Sequence, residues 1–192
     1  MGRSDPGGLA PAPVLGMVGA IVLADAFTKF VAVDRLAPAH VPHSVFGEWF
    51  QWTLAYNRGA AFGLHLGPWS RWIFIALTIV ALWVLWSLYR SSAPTARARV
   101  LALASIAGGA IGNLVDRLRS GRGVVDFIDI GVGSWRWPTF NVADIAVSVG
   151  ALTLAVVLWR EDVEAAQAEA AAGAASLDDG TTAGRHEPTP SR

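Results

Sequence analysis

Four long apolar segments constrain what this chain can fold into more than any other feature of its sequence. They cover about residues 14–33, 72–89, 100–117 and 140–159. Roughly 20 apolar residues suffice for a helix to cross the hydrocarbon of a bilayer, and a backbone surrounded by lipid must satisfy its own hydrogen bonds. The sequence therefore predicts an integral membrane protein, mainly α-helical, built as a four-helix bundle with both termini on one side.

The composition agrees with this class. Of the 192 residues, 53% are hydrophobic and 16% are charged, whereas about a quarter of the residues of a soluble domain are charged. The formal net charge is zero, which gives no reason to expect a nucleic-acid partner. The chain has no cysteine, so disulfides, thiolate metal sites and cysteine nucleophiles are excluded.

The link between the first two spans, about residues 34–71, carries a strand pattern. In FQWTLAYN (50–57) aromatic and aliphatic residues alternate with more polar ones, and this period of two is typical of a β-strand with one apolar face. The strand pattern ends at NRGAAFG (57–63). The small residues there, Gly59 among them, suit a tight turn where a ligand backbone can approach.

The C-terminal part of the chain differs from the rest. Residues 161–192 are rich in Ala, Asp, Glu and Thr and lack an apolar face, so they cannot build a core. The sequence therefore predicts a membrane domain over 1–160, followed by a disordered tail over 161–192.

The distribution of basic residues does not orient the bundle. Near the spans, the side of the termini has Arg3, Arg90, Arg97, Arg99 and Arg160, and the other side has Arg35, Arg58, Arg71, Arg117, Arg119, Arg122 and Arg136. The positive-inside rule would therefore place the termini outside the cytoplasm, unless several arginines of the second group serve a site.

The unusual polar residues gather at one face of the membrane. Alternating spans bring together the end of span one, the 34–71 link, the end of span three and the start of span four. These places hold Asp25, Lys29, Asn57, Arg58, Asn113, Asp116, Arg117, Asp126, Asp129, Asn141 and Asp144. Polar groups concentrated at one end of a small bundle predict a site there rather than a channel through it.

Helical spacing groups these residues further. Asp25 and Lys29 are four residues apart, so they share a helix face and can neutralise each other. Such a pair is equally compatible with a purely structural role. Two Asn–Asp pairs, at 113/116 and 141/144, have a spacing of three.

Other features favour structural interpretations. Gly108 and Gly112 form a GxxxG pattern, which is typical of close helix packing. Asp129 is predicted to be a solvated loop residue. The loop histidines His40, His43 and His65 have no carboxylate at ligand spacing, so no metal site is predicted.

Asp144 is the hardest of the carboxylates to explain structurally. An ionised Asp in a span costs roughly 2.5–3.5 kcal/mol, and no cation lies within a helical turn of it. Two carboxylates brought close share a proton, so that one accepts a proton from water while the other donates to a carbonyl. Asp144 is therefore predicted to be half of an intramembrane acid–base pair. Spacing alone does not choose between Asp116 and Asp126 for the other half.

Five short motifs give the chain a specific resemblance. They are DAFTK (25–29), YNRGAAFG (56–63), GGAIGNLVDRL (108–118), GVVDFID (123–129) and FNVAD (140–144). In this order and spacing, over about residues 14–160, they resemble lipoprotein signal peptidase (signal peptidase II), a family of membrane aspartyl proteases.

The resemblance implies roles for individual residues. It makes Asp126 and Asp144 the catalytic dyad and Asp116 a supporting residue that holds Arg117 or the helix end. Residues implied to line the substrate cleft or support it are Asp25, Lys29, Asn57, Gly59, Asn113, Arg117 and Asn141.

The resemblance also implies a setting. The fold would add a small β-rich cradle and loop on the extracytoplasmic face of a bacterial cytoplasmic membrane, with cytoplasmic termini. The substrates would be prolipoproteins whose cysteine carries diacylglycerol, cleaved just before that cysteine. No cofactor, metal or obligate protein partner is implied, and membrane lipids are the only other partners.

Two other functions stay open at this point. A metal-dependent lipid-headgroup enzyme would use Asp116, Asp126 and Asp129 as ligands, and its activity would depend on magnesium. A proton-coupled transporter or scaffold would use Asp25 and Lys29 as a relay, and its polar residues would be spread through all depths of the membrane.

Overall fold

The computed structural model describes residues 11–59, 67–93 and 95–183. In chain order the elements are α1 (Pro11–Arg35), β1 (Pro42–Phe46), β2 (Phe50–Asn57), a 3-10 turn (Gly67–Trp69), α2 (Ser70–Ser91), α3 (Arg97–Arg119), β3 (Val124–Val132), β4 (Trp135–Arg136) and α4 (Val142–Ala183). Most of the predicted turn at 57–63, and His65, lie outside the described residues.

The four helices confirm the predicted spans. Each is long and apolar enough to cross a membrane, and each begins or ends within a few residues of the predicted limits, apart from the extended end of α4. The large apolar side chains of α1 and α2 are mostly exposed on the protein itself, as in Phe27, Phe30 and Trp83. Such faces suit contact with lipid. Helix α3 is the most buried of the four and packs against both α1 and α2.

Glycines in α3 permit this close packing. A Cβ atom on Gly108 would lie 3.0 Å from the Cβ of Ile21 in α1, and one on Gly112 would lie 2.6 Å from Oδ2 of Asp25. The GxxxG pattern therefore serves helix packing, as predicted, and Gly112 also leaves room for a carboxylate.

The sheet has four antiparallel strands in the order β1-β2-β3-β4. Strand β2 covers the predicted residues 50–57. Its partner β3 places Val124 opposite Asn57 and Asp126 opposite Ala55. The implied β-rich cradle is thus present, although no pattern in the sequence located β1, β3 or β4.

The prediction that Asp129 is a solvated loop residue is wrong. Asp129 lies in β3 and is only 6% exposed. Its Oδ1 accepts a hydrogen bond from Nε of Arg136 at 2.6 Å, and its Oδ2 accepts one from Oγ1 of Thr53 at 2.7 Å. Because the strands on both sides of β3 supply these donors, the carboxylate is neutralised inside the sheet.

Helix α4 extends further than the sequence analysis predicts. It is helical to Ala183, whereas disorder is predicted from residue 161. The side chains described between 162 and 171 are all exposed, which agrees with the lack of an apolar face. Alanine and glutamate are strong helix formers, and a helix already begun extends without a new nucleus. From Ala155 onwards, the described residues form a compact unit of their own.

Candidate active site

The start of α4 fixes the position of Asp144. Oδ1 of Asn141 accepts a hydrogen bond from the Asp144 N–H at 2.9 Å, and Oδ2 of Asp144 accepts one from the Asn141 N–H at 3.2 Å. This reciprocal pair is a capping box, with Asn141 as the N-cap. The carboxylate consequently lies in the first turn of a helix, where the helix dipole favours negative charge. The motif FNVAD thereby explains how a membrane helix can hold an aspartate.

Asp126 lies on the neighbouring strand β3 and is 2% exposed. Its Oδ1 accepts a hydrogen bond from Nδ2 of Asn141 at 2.7 Å, and the side chain of Asn57 forms another hydrogen bond with it. Burial, and secondly the negative charge of Asp144, raise the pKa of Asp126 to about 7, although both amide hydrogen bonds oppose this rise. Asp126 therefore carries a proton more readily than an ordinary aspartate.

Asn113 in α3 connects Asp144 to a buried lysine. Its Nδ2 donates to Oδ1 of Asp144 at 2.8 Å, and its Oδ1 accepts from Nζ of Lys29 at 3.0 Å. The Oδ1 atom also accepts from Nδ2 of Asn141 at 3.1 Å. An ammonium group can only donate hydrogen bonds. Lys29 therefore fixes the orientation of the Asn113 amide and directs its NH₂ group at Asp144.

Lys29 is buried and uses all three of its ammonium protons. Its Nζ contacts Oδ2 of Asp25 at 2.7 Å, Oδ2 of Asp116 at 2.8 Å and Oδ1 of Asn113. Oδ1 of Asp25 accepts from the Ala143 N–H at 2.9 Å, which ties α1 to the start of α4. The predicted pair of Asp25 and Lys29 is confirmed, and it is part of a larger charged cluster.

Of the two supporting roles implied for Asp116, its contacts fit holding the helix end and not holding Arg117. Its Oδ2 binds Lys29 and also accepts from the Val125 N–H at 3.1 Å. The carboxylate therefore joins α3 to α1 and β3, instead of holding Arg117. Because a cation neutralises Asp116 while Asp126 is held by neutral amides, the two candidates for the second half of the pair have distinct environments.

Arg117 and Asn57 lie at the edge of this cluster. Nη2 of Arg117 donates to the carbonyl of Gly59 at 3.1 Å, and its guanidinium stacks 5.5 Å from the ring centre of Phe74. Oδ1 of Asn57 accepts from the Gly59 N–H at 3.0 Å. Gly59 is thus held through both its carbonyl and its N–H.

A cavity of about 520 Å³ brings the site together. Its polar wall contains Asn57, Asn113, Arg117, Asp126 and Asp144. Its remaining wall comes from the start of β3, from the link before α4 and from the first turns of α4, namely Val124, Trp137, Pro138, Thr139, Phe140, Ile145, Val147, Ser148 and Val149. The link residues 137–139 were not identified as part of the cavity from the sequence, although the aromatic WRWP (135–138), one residue before FNVAD, is a signal for them. The cavity offers two carboxylates at one end and an apolar surface along α4.

The acids of the metal-enzyme alternative do not converge. Asp116 faces Lys29, and Asp129 is paired with Arg136 at a different place in the sheet. Only Asp126 of the three lines the cavity. This arrangement disfavours a site in which all three bind one metal ion.

Four helices suited to a membrane, with a carboxylate pair facing a cavity at one end of the bundle, place this chain among membrane enzymes. Comparisons with known proteins identify which kind. A family model described as "Signal peptidase (SPase) II" matches residues 17–160. The lipoprotein signal peptidase of Nitratidesulfovibrio vulgaris (strain DP4) is 42% identical over 151 residues, covering 77% of this chain and 90% of that protein. The lipoprotein signal peptidase of Burkholderia mallei (strain SAVP1) is 44% identical over 153 residues, covering 79% and 90%.

Two solved structures have the same fold. Both are described as bacterial membrane enzymes, at 2.3 Å and 1.9 Å resolution. The first has a TM-score of 0.72 at 25% identity and covers 81% of this chain and 92% of that chain. The second has a TM-score of 0.69 at 25% identity and covers 80% and 97%. The chain belongs to the signal peptidase II family, and it is accordingly a protease.

Proposed function

We propose that this protein is an aspartic endopeptidase that removes the signal peptide from diacylglyceryl-modified prolipoproteins, cutting just before the lipidated cysteine. One observation carries the aspartic assignment. Asp126 and Asp144 line one cavity and are linked through the side chain of Asn141, yet their surroundings favour different protonation states. Pairs of carboxylates whose environments separate in this way divide the roles of acid and base.

Asp144 is the proposed base. Its carboxylate receives N–H groups from Asn113 and from the Asn141 backbone at the start of a helix, and both features stabilise the ionised form. Asp126 is the proposed acid, because its raised pKa of about 7 keeps it largely protonated below neutral pH.

The proton transfers balance without any further group. A water molecule between the carboxylates loses a proton to Asp144 as its oxygen attacks the scissile carbonyl, and Asp126 gives its proton to the carbonyl oxygen. In the second step Asp144 returns its proton to the departing nitrogen while the C–N bond breaks. Asp126 recovers a proton from the collapsing tetrahedral intermediate, so both carboxyls end in their starting states.

The apolar wall of the cavity supports a lipid-linked substrate. Ile145 and Val149 come after Asp144 in α4 and are four residues apart, so they share a helix face. Both line the same cavity as the two carboxylates. A peptide anchored by acyl chains can lie along this wall with its scissile bond at the polar end. The proposed setting is a bacterial cytoplasmic membrane, with the site near the extracytoplasmic face and both termini cytoplasmic. No obligate protein partner is proposed.

The direct test is cleavage of a purified prolipoprotein in detergent–lipid micelles, with and without diacylglycerol on its cysteine and with chelator present throughout. The wild type is expected to cut only the lipidated substrate. Asp126→Asn and Asp144→Asn are expected to be inactive but correctly folded. Asp162→Asn removes an exposed carboxylate from the extension of α4 and is the matched control. Sensitivity to chelator, or full activity of either dyad variant, would contradict the proposal.

A further inference from the structure

Four arginines surround the turn between α3 and β3, next to the cavity described above. Arg119 is the last residue of α3, and Arg122 lies in the turn that follows. Arg58 follows β2, and Arg71 is in the first turn of α2. These four residues are called the arginine surface below.

Specific contacts hold three of the four beside the turn, and Arg119 directly follows the residues whose carbonyls Arg71 binds. Nε of Arg71 donates to the carbonyl of residue 117 at 2.6 Å, and its Nη2 donates to that of residue 118 at 3.0 Å. The guanidinium of Arg122 lies 4.4 Å from the ring centre of Tyr56. A Cβ atom on Gly123 would lie 2.8 Å from the backbone nitrogen of Arg58, so that backbone passes directly beside the turn.

Among the described residues, no carboxylate forms an ion pair with the arginine surface. Asp116, the nearest acid in sequence, is turned inward to Lys29 and to the β3 backbone. Over the ranges 12–59, 67–93 and 95–171, none of the ion pairs involves Arg58, Arg119 or Arg122. All three are exposed. The positive charges of these three arginines are therefore not neutralised by ion pairs within the described part of the chain.

Aromatic residues place the arginine surface at the level of lipid headgroups. Trp69 and Trp72, at the start of α2, are 69% and 55% exposed, and tryptophan is enriched at the two membrane–water interfaces. The guanidinium of Arg71 stacks 5.1 Å from the ring centre of Trp72. This pairing favours a position of the arginines at the depth of the lipid phosphate groups.

We propose that the arginine surface binds the phosphate groups of anionic phospholipids. The planar guanidinium matches two phosphate oxygens at once, and clusters of four or more basic residues beside a membrane are typical of binding sites for anionic lipids. The proposal accounts for the arginines that the positive-inside rule does not explain. According to the proposal, the lipids around the cavity entrance are enriched in anionic phospholipids.

The test compares two triple variants of the full chain. Arg58→Gln, Arg119→Gln and Arg122→Gln are combined in the first. Arg71 is left intact because it holds the end of α3. The control combines Arg90→Gln, Arg97→Gln and Arg160→Gln, which the alternation of the spans predicts at the opposite face of the membrane, and it removes the same charge.

The measurement is retention of phosphatidylglycerol against phosphatidylcholine, from equimolar mixed micelles, by native mass spectrometry. The wild type is expected to prefer phosphatidylglycerol. The first variant is expected to lose at least about tenfold of this preference, and the control less than about twofold. Added salt should weaken the wild-type preference. Equal melting temperatures would show that all three proteins are folded.

Three results would overturn the proposal. The first is no lipid preference in the wild type, and the second is an equal loss of the preference in both triple variants. The third is unchanged lipid retention combined with a KM that rises only for prolipoproteins with an acidic segment after the cysteine. The last result would assign the surface to the substrate instead. Lipid retention requires no turnover, so it also succeeds or fails independently of the proposed peptidase chemistry.

Discussion

A 3.0 Å hydrogen bond from Nζ of Lys29 to Oδ1 of Asn113 determines which end of the Asn113 amide faces Asp144. The ammonium group forces the amide oxygen of Asn113 towards α1, so the amide nitrogen faces the carboxylate at 2.8 Å. A buried charged cluster in one part of the bundle thereby controls hydrogen bonding in the cavity. Lys29 is a positioning residue in this arrangement, since it does not line the cavity itself.

The first prediction concerns Asn113. Replacing it by Asp removes the NH₂ donor and sets a second negative charge against Asp144. We expect kcat to fall by about 10² to 10³, the range for losing one oriented donor at an active site. The wild type and the variant would be compared in single-turnover cleavage of lipidated prolipoprotein.

A second set of variants separates the two roles of Lys29, which are to orient the Asn113 amide and to neutralise two carboxylates. Lys29→Met removes the orienting ammonium and leaves Asp25 and Asp116 buried without their cation, so it should cost about 3–5 kcal/mol of stability. Combining it with Asp25→Asn and Asp116→Asn should recover much of that stability but not the activity. Recovery of full activity in the combined variant would show that Lys29 has only a structural role.

The second prediction concerns the pH dependence of cleavage. The proposed acid must be protonated, and its pKa is raised to about 7 by burial and by Asp144. We therefore expect kcat/KM to fall as the pH rises through about 7. The profile should be measured with a lipidated substrate that has no titrating group near this pH.

The same raised pKa has a consequence for stability. Asp126 binds a proton in the folded protein at pH values where the unfolded chain has released it, because its ordinary pKa is 3.8. Its contribution to stability is therefore fully present below about pH 3.8 and is lost as the pH rises to about 7. Asp126→Asn should melt a few degrees higher than the wild type at pH 8 and show a flatter pH dependence. A lower melting temperature of Asp126→Asn at pH 8 would contradict the conclusion that burial disfavours the ionised form of Asp126.

The sequence predicted much of this site because topology and local spacing determine it. Alternating spans bring the polar ends of α1, α3 and α4 to one face, and the spacing of Asn141 and Asp144 is that of a capping box. These features depend on a few neighbouring residues or on the number of spans, both of which can be read directly. The catalytic roles of Asp126 and Asp144 stay predictions.

Contacts between distant segments escaped the sequence analysis. Asp116 binds Lys29 across 87 positions of the chain, and no local pattern indicates that pair in preference to its neighbour Arg117. Asp129 was misplaced because β3 is buried on both faces, so it lacks the alternation by which β2 was recognised. Its ion-pair partner, Arg136, lies on β4, a strand of two residues that is too short to show any period.

The third prediction follows from the partly buried pair of Asp129 and Arg136. Asp129→Asn leaves the guanidinium without its counter-charge, and because the Arg136 side chain keeps 27% exposure, the expected cost is that of a lost hydrogen bond between charged groups, about 1.5–3 kcal/mol. The variant should unfold at a clearly lower temperature, yet retain nearly wild-type kcat while folded, because Asp129 does not line the cavity. Thermal unfolding and cleavage would be measured on the same preparation.

Thr53→Val is the control for this pair, because it removes only the 2.7 Å hydrogen bond to Asp129. Its expected cost is about 1 kcal/mol, or somewhat more since an acceptor is left buried. If Asp129→Asn abolished cleavage without lowering the melting temperature, Asp129 would belong to the catalytic machinery and the proposed dyad would be wrong.

The last prediction tests whether helix packing holds the charged cluster in place. A methyl group on Gly112 would meet Oδ2 of Asp25 at 2.6 Å, and this oxygen is the one that binds Lys29. Gly112→Ala should therefore lower both stability and kcat, although alanine is the better helix former. Gly19→Ala in α1 is the matched control, because nothing lies within 4 Å of its added Cβ. That control should be neutral or slightly stabilising, so a Gly112→Ala protein as stable and active as Gly19→Ala would show that α1 and α3 can separate without disturbing the site.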